Sequence, residues 1–256
     1  MSATVTTAAD TSVYALRLGD DALILAQQLG EWSSRAPELE EDIALTNIAL
    51  DLLGQARFLL SRAGEIEGRG RSEDELAFGR DERDFLNCLL VEQPNGDFAQ
   101  TIGRQLLFST YQLALYGGLT SSVDQGLAGV AAKAVKEVAY HRDHAVKWTV
   151  RLGDGTLESH ARMQRAIAQL WPYWHELFEP DPRVERLAGE GVAVDPAALR
   201  RQCDEFVAGT LQEATLAIPE TSWQPSGGRR GEHTEGFGHM LAEMQWLHRS
   251  HPEASW

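Results

Sequence analysis

The stretch "DIALTNIALDLLGQARFLL", residues 42–60, constrains this chain most. Placed at 100° per residue, Leu39, Ile43, Leu50 and Leu53 line one side, and Leu45, Ile48, Leu52 and Leu59 line the other. A helix that is apolar all round is expected to be buried all round, so this segment predicts a central helix with neighbours on every side. Pro37 suits its first turn, the acids Glu38, Glu40, Glu41 and Asp42 suit the positive end of its dipole, and it is expected to end near Gly64. Asn47, Asp51 and Gln55 run through it as a polar stripe at i, i+4 and i+8.

The rest of the chain is punctuated as more helices. A first runs from about Ser12 to Glu31, which leaves residues 1–11 as a disordered tail and 12–256 as one helical domain. The capping box Ser72-x-x-Glu75 opens a third helix, closed by Pro94-Asn95-Gly96. Asp97 caps a fourth that ends at Gly117-Gly118, and Asp124 or Ser122 starts a fifth that runs to about Leu152. Thr156 starts a sixth, bent at Pro172 and reaching Phe178; Asp195-Pro196 opens a seventh and Thr234 an eighth. No stretch alternates as a strand, so the expectation is an all-α protein, at least roughly two-thirds helix. The charge of −15 argues against a nucleic-acid partner. Cys88 and Cys203, both read as helical, imply no disulfide framework. The start "MSATVTTAAD" lacks a secretory pattern, and no apolar run approaches the roughly 20 residues that cross a bilayer, so a cytoplasmic location is expected.

Three helices carry acids towards one interior. Asp20 and Gln27 share a face with Val13, Leu16, Leu23 and Ile24; Asp51 lies in the second helix; Glu137, His141 and His144 lie on or beside the inner stripe of the fifth. Buried carboxylates cost several kcal/mol unless they are paired, hydrogen-bonded or metal-bound. Bundles that hold two metal ions use about four carboxylates and two imidazoles, the latter from Glu-x-x-His on two helices. The 256 residues contain no Glu-x-x-His and no Asp-x-x-His: Glu137 is followed at i+3 by Tyr140, and Glu243 by Trp246. The bland alternative is therefore favoured, with Asp51 bonded to Asn47 or Gln55 and Glu137 to His141 or a neighbouring base. A rival from another class is an autonomous metal-dependent oxidase that binds ions through Asp20, Asp51, Glu137, His141 and His144.

Nucleophile elbows, P-loops and dinucleotide fingerprints are missing from the sequence. The segment "SGGRRGEHTE", residues 226–235, is the one glycine-rich basic loop on an acidic chain. Arg229 and Arg230 are the candidates there for a phosphate or a partner's acidic groups, against the plainer reading of a solvated loop.

Three long stretches, "RLGDDALILAQQLGEWSSRAPELEEDIALTNIALDLLGQAR", "FGRDERDFLNCLLVEQPNGDFAQTIGRQ" and "GGRRGEHTEGFGHMLAEMQWL", resemble the C subunits of bacterial phenylacetyl-CoA epoxidases. The resemblance covers nearly everything after Val13. It implies a ferritin-like four-helix bundle with additional helices, in a multicomponent monooxygenase of aerobic phenylacetate breakdown. It further implies a catalytic A subunit that carries the di-iron site, other components of the complex, and a non-catalytic role for a chain of this kind, which needs no cofactor of its own. Self-association is also open. By similarity to the sister subunit, the two Glu-x-x-His motifs would fall at Asp51-x-x-Gly54 and Glu137-x-x-Tyr140, each with the acid kept and the imidazole replaced. Asp20, Asp51, Glu137 and His141 would then be vestiges of a metal site.

Overall fold

In the computed structural model, residues 2–254 are described, with side chains from residue 7 onward. Among the described residues nine α-helices follow in order: α1 Ser2–Gly30, α2 Leu39–Glu67, α3 Glu73–Phe78, α4 Phe98–Leu119, α5 Gln125–Gly153, α6 Leu157–Trp174, α7 Pro182–Gly189, α8 Pro196–Glu213 and α9 Phe237–Ser250. Short 3₁₀ turns lie at Glu82–Asp84, His175–Phe178 and Gly228–Arg230, and the described residues hold no strand.

Short connections make antiparallel pairs of α1 with α2 and of α4 with α5. The long connection 68–97 then runs the length of the bundle. Its far end is tied to the end of α1, where Asn95 Nδ2 donates to Gln28 O at 2.6 Å and Trp32 Nε1 to Thr101 Oγ1 at 2.9 Å. α2 and α4 are thereby parallel, and α5 runs back along α2, with Arg62 and Asp124 paired at one end and Glu41 and His144 at the other. This is the single-crossover form of the four-helix bundle, ferritin-like in connection, with α6 and α8 packed on α4.

Five of the helix starts read from the sequence hold, and Thr234 does not: α9 begins at Phe237 after Gly236, without a side-chain cap. Ser72, Asp97, Asp124, Thr156 and Asp195 each accept a backbone N–H from the first turn of the following helix.

Four further expectations need correction. The supposed tail 1–11 is helical from Ser2 on; Asp10, Thr11 and Ser12 are buried, and Asp10 is held by Arg183 and Arg186 of α7. α3 stops at Phe78, and the segment that follows is irregular backbone pinned by long-range polar bonds; Cys88 sits in it rather than in a helix. α7, a fragment absent from the sequence reading, starts at Asp181-Pro182 with the carboxylate of Asp181 as cap.

The fourth correction concerns α2. Leu45, Ile48, Leu52 and Leu59 are buried against α1 and α5. Leu39, Ile43, Leu50 and Leu53 face outward, from 47% exposed at Leu53 to 72% at Leu39. Length and mean hydropathy alone would let α2 cross a membrane, but its inner face packs in the bundle and carries Asp51 and Gln55. The helix buried on nearly all sides is instead α4, including its polar Arg104, Gln105, Ser109, Thr110 and Gln112.

Candidate metal centre

Asp51, Glu137 and Glu41 each find a partner across the α2–α5 contact. His141 of α5 is 1% exposed, and its Nε2 lies 3.0 Å from Asp51 Oδ2 of α2. The carboxylate accepts, so the imidazole carries its proton on Nε2. Burial pulls the His141 pKa below the ordinary histidine range, against the hydrogen bond and charge of Asp51, so the ring is neutral near pH 7. Glu137 of α5 accepts from Gln55 Nε2 of α2 at 3.0 Å, with Lys133 at 3.7 Å. Gln55 Oε1 accepts from Gln112 Nε2 of α4 at 3.1 Å, and Gln112 reaches the Tyr116 hydroxyl at 3.4 Å. Burial raises the Tyr116 pKa, so that hydroxyl keeps its proton.

Asp51, Glu137 and His141 are thus brought into one region, while Asp20 and His144 are not. Asp20 is fully buried elsewhere, bound by both terminal nitrogens of Arg80 and by the backbone N–H of Leu86 at 2.8 Å. His144 pairs with Glu41 at 2.8 Å, one turn farther along α5. Tyr140 is half exposed, and a Cβ added at Gly54 would meet nothing within 4 Å. Two carboxylates, one imidazole and two amides do not match the ligand set of a dimetal centre. Among the described residues, no three His, Cys, Asp or Glu side chains converge as metal ligands. The network closes on itself instead.

The arginine loop, read from the sequence as a candidate contact or a plain solvated loop, is neither at Arg229. Arg229 turns inward and binds Asp21 through both terminal nitrogens, at 2.9 and 2.8 Å, and also reaches Leu86 O at 3.1 Å. It offers no free charge to a phosphate or partner; only Arg230, 58% exposed and 3.7 Å from Glu232, faces outward. Gly227 takes φ 134° and Gly231 φ 77°, and the N–H groups of Gly227 and Gly228 donate to Glu176 Oε1 at 3.0 and 2.8 Å. The loop clasps the segment 85–93 onto the bundle. Sequence reasoning missed Glu176, Glu92 and His233 in this role, because their partners lie 51 to 148 residues away.

His233 gives the clasp a pH dependence. Its Nδ1 lies 2.9 Å from Glu92 Oε2 and its Nε2 3.0 Å from Phe85 O, two acceptors that only an imidazolium satisfies. Burial opposes the charge, but the bond to Glu92, the Glu92 charge and the Phe85 carbonyl hold the pKa above the ordinary range. The stability it contributes is fully present below about pH 6.5 and is lost as pH rises through the raised value. His141, with its lowered pKa, acts on the other flank, losing its contribution as pH falls below about 6.5. The denaturant midpoint is expected to fall on the alkaline side of pH 6.5, and His233→Gln to flatten that decline. An unchanged slope in the variant rejects the ion pair.

Fold and site together define a ferritin-like bundle whose α2–α5 contact is a network of hydrogen-bonded acids, amides and an imidazole. Residues 2–256 match the family model described as phenylacetic acid catabolic protein. The chain is also 51% identical over 245 residues, 96% of its length and 98% of the relative's, to the C subunit of 1,2-phenylacetyl-CoA epoxidase from Escherichia coli (strain K12). The chain belongs to the phenylacetic acid catabolic protein family.

Proposed function

We propose that this chain is a non-catalytic subunit of a cytoplasmic phenylacetyl-CoA epoxidase, and that it supports a di-iron A subunit while holding no metal itself. The observation that carries the reading is the outward stripe Leu39, Ile43, Leu50 and Leu53, with Tyr140 of the neighbouring helix also half exposed. At 1.5 Å per residue the stripe is about 21 Å long. Exposed apolar side chains aligned on one helix face suit an interaction site, and full burial of a leucine or isoleucine side chain contributes roughly 1.5–3 kcal/mol. A relative named as a lettered subunit favours another subunit as occupant. The interface is expected to bury on the order of 2,000 Å² or more, as permanent complexes do. Binding of the folded form stabilises both chains by mass action. The network supports the absence of a resident metal, because Asp51 Oδ2, Glu137 Oε2 and the Gln55 amide are already bonded to side chains of neighbouring helices.

Co-expression with the A subunit and assay of each chain alone test this. The isolated chain is expected to hold no stoichiometric iron or manganese by elemental analysis and to epoxidise nothing; with the A subunit it should elute as one species that turns over. Two tightly bound irons per isolated chain would reinstate the autonomous oxidase.

A further inference from the structure

The three lysines of this chain, Lys133, Lys136 and Lys147, all lie on α5. That helix carries five bases against two acids, in a chain whose net charge is −15. Steps of three and four residues put Lys133, Lys136, Tyr140, Asp143 and Lys147 on one stripe, and all five are exposed. The stripe borders the outward side of α2. Lys133 Nζ lies 5.6 Å from the ring centroid of Phe58, which follows Leu53 on α2 and is itself 54% exposed. Glu137, next to Lys136, is bonded to Gln55 of α2.

Part of this charge is answered within the chain. Lys147 pairs with Asp143 at 2.6 Å, and the Arg151 guanidinium lies 4.9 Å from the Trp148 ring centroid. Lys133 has only Glu137, at 3.7 Å, and that carboxylate also accepts from Gln55. Lys136 has no partner among the described residues. Two lysines one turn apart, one loosely paired and one unpaired, thus stand beside exposed Leu53, Phe58 and Tyr140. Like charges at this spacing repel, and carboxylates from outside the chain relieve that repulsion. An anionic lipid surface is the other ligand that a face of leucines and lysines suits. The far end of the α2 stripe speaks for a protein instead: Glu38 and Glu40, beside Leu39, are exposed and hold no ion pair among the described residues. A sheet of negative charge would meet both ends of the stripe, whereas a protein surface places its acids at one end only.

We propose that the subunit docked on the α2 stripe presents an apolar surface edged by carboxylates, which meet Lys133 and Lys136 of α5. This rests on the docking proposed above and adds the chemistry of the partner. The apolar stripe holds the complex, and the two lysines draw the partner in and set its direction, since charges at the rim of an interface act chiefly on the rate of association.

Surface plasmon resonance of the full chain with the A subunit, from about 0.01 M to about 1 M salt, tests this. The parental association rate is expected to fall by roughly tenfold or more over that range, with a smaller change in dissociation. Lys133→Glu with Lys136→Glu should slow association at low salt by roughly tenfold and flatten its salt dependence, at an unchanged melting temperature because both side chains are exposed. Lys136→Gln, which adds no charge beside Glu137, should slow it less and serves if the double variant does not fold. Arg165→Glu with Arg201→Glu, exposed on α6 and α8, changes the net charge equally off this face and should associate nearly like the parent. A complex that forms at the parental rate in the folded lysine variants, or at one rate across all salt, overturns the acidic partner and leaves the α2 docking standing. Absence of any complex overturns both. Binding to vesicles of phosphatidylglycerol and phosphatidylcholine in equal parts, or self-association of this chain alone, overturns the proposal if the lysine reversal abolishes it.

Discussion

Asp20→Ala is expected to cost about 3–5 kcal/mol of folding stability, the loss that follows when one member of a buried ion pair is removed. The Arg80 side chain is 3% exposed and that of Asp20 is 0% exposed, so the guanidinium left behind is buried without its counter-charge. Arg80 also donates to Asp84 O at 2.8 Å and lies 4.0 Å from the Phe85 ring centroid, and Asp20 accepts the Leu86 N–H. The one substitution therefore unpins both ends of the irregular segment 79–86 from α1. For a chain of this size the thermal midpoint should drop by roughly 6–20 °C. Asp20→Leu combined with Arg80→Met should be milder, since no lone charge stays buried. If calorimetry shows Asp20→Ala melting within about 1 kcal/mol of the parent, the pair is not what anchors the crossover. The same experiment separates Asp20 from ligand chemistry, because a metal ligand would be scored by metal content and not by melting of the bare chain.

Asp20 shows where sequence reasoning succeeds and where it stops. Its inward position on α1 is legible from the period of Val13, Leu16, Leu23 and Ile24. Its partner is not, because Arg80 lies 60 residues on, in a segment whose residues read as helix. "ELAFGRDERDFLNCLLVEQ" has helical apolar content, yet the bonds of Leu86 N–H to Asp20, Cys88 N–H to Asp21 and Leu89 N–H to Glu176 hold it irregular. Caps are legible because an aspartate or serine that closes on its own third residue is local chemistry. The start of α1 is hidden because its early turns are rich in threonine, a weak helix former, and depend on Arg183 and Arg186, more than 170 residues away. The missing i+3 imidazoles are visible in the sequence. The crosswise pairing of Asp51 with His141 and Glu137 with Gln55 is not, since the register between two helices is set by their packing. Apolar content also misassigns the central helix: α2 is richer in leucine, but α4 is buried, its Ser109 and Thr110 hydroxyls turned back onto Gln105 O and Leu106 O. The partner proposed above would cover the surplus apolar side of α2.

Leu50→Asp with Leu53→Asp is expected to abolish the complex with the A subunit while leaving this chain folded. Both side chains are about half exposed, so their loss removes little from the core, and surface changes of this kind usually stay within about 0.5 kcal/mol. In an assembled interface the same positions would be desolvated, and a carboxylate placed there without a partner would cost several kcal/mol. Central contacts of an interface typically contribute about 2–4 kcal/mol each, so the double variant should weaken association by at least roughly a hundredfold. Leu157→Asp, on α6 and 92% exposed, supplies a control that introduces one charge at an exposed leucine off this stripe. Sedimentation of the mixed subunits should then show one heavy species for the parent and for Leu157→Asp, and two separate light species for the double variant. Circular dichroism must report the same helix content for all three. A double variant that still co-sediments with the A subunit at parental affinity removes the α2 stripe from the interface, and the partner must then be sought on another face.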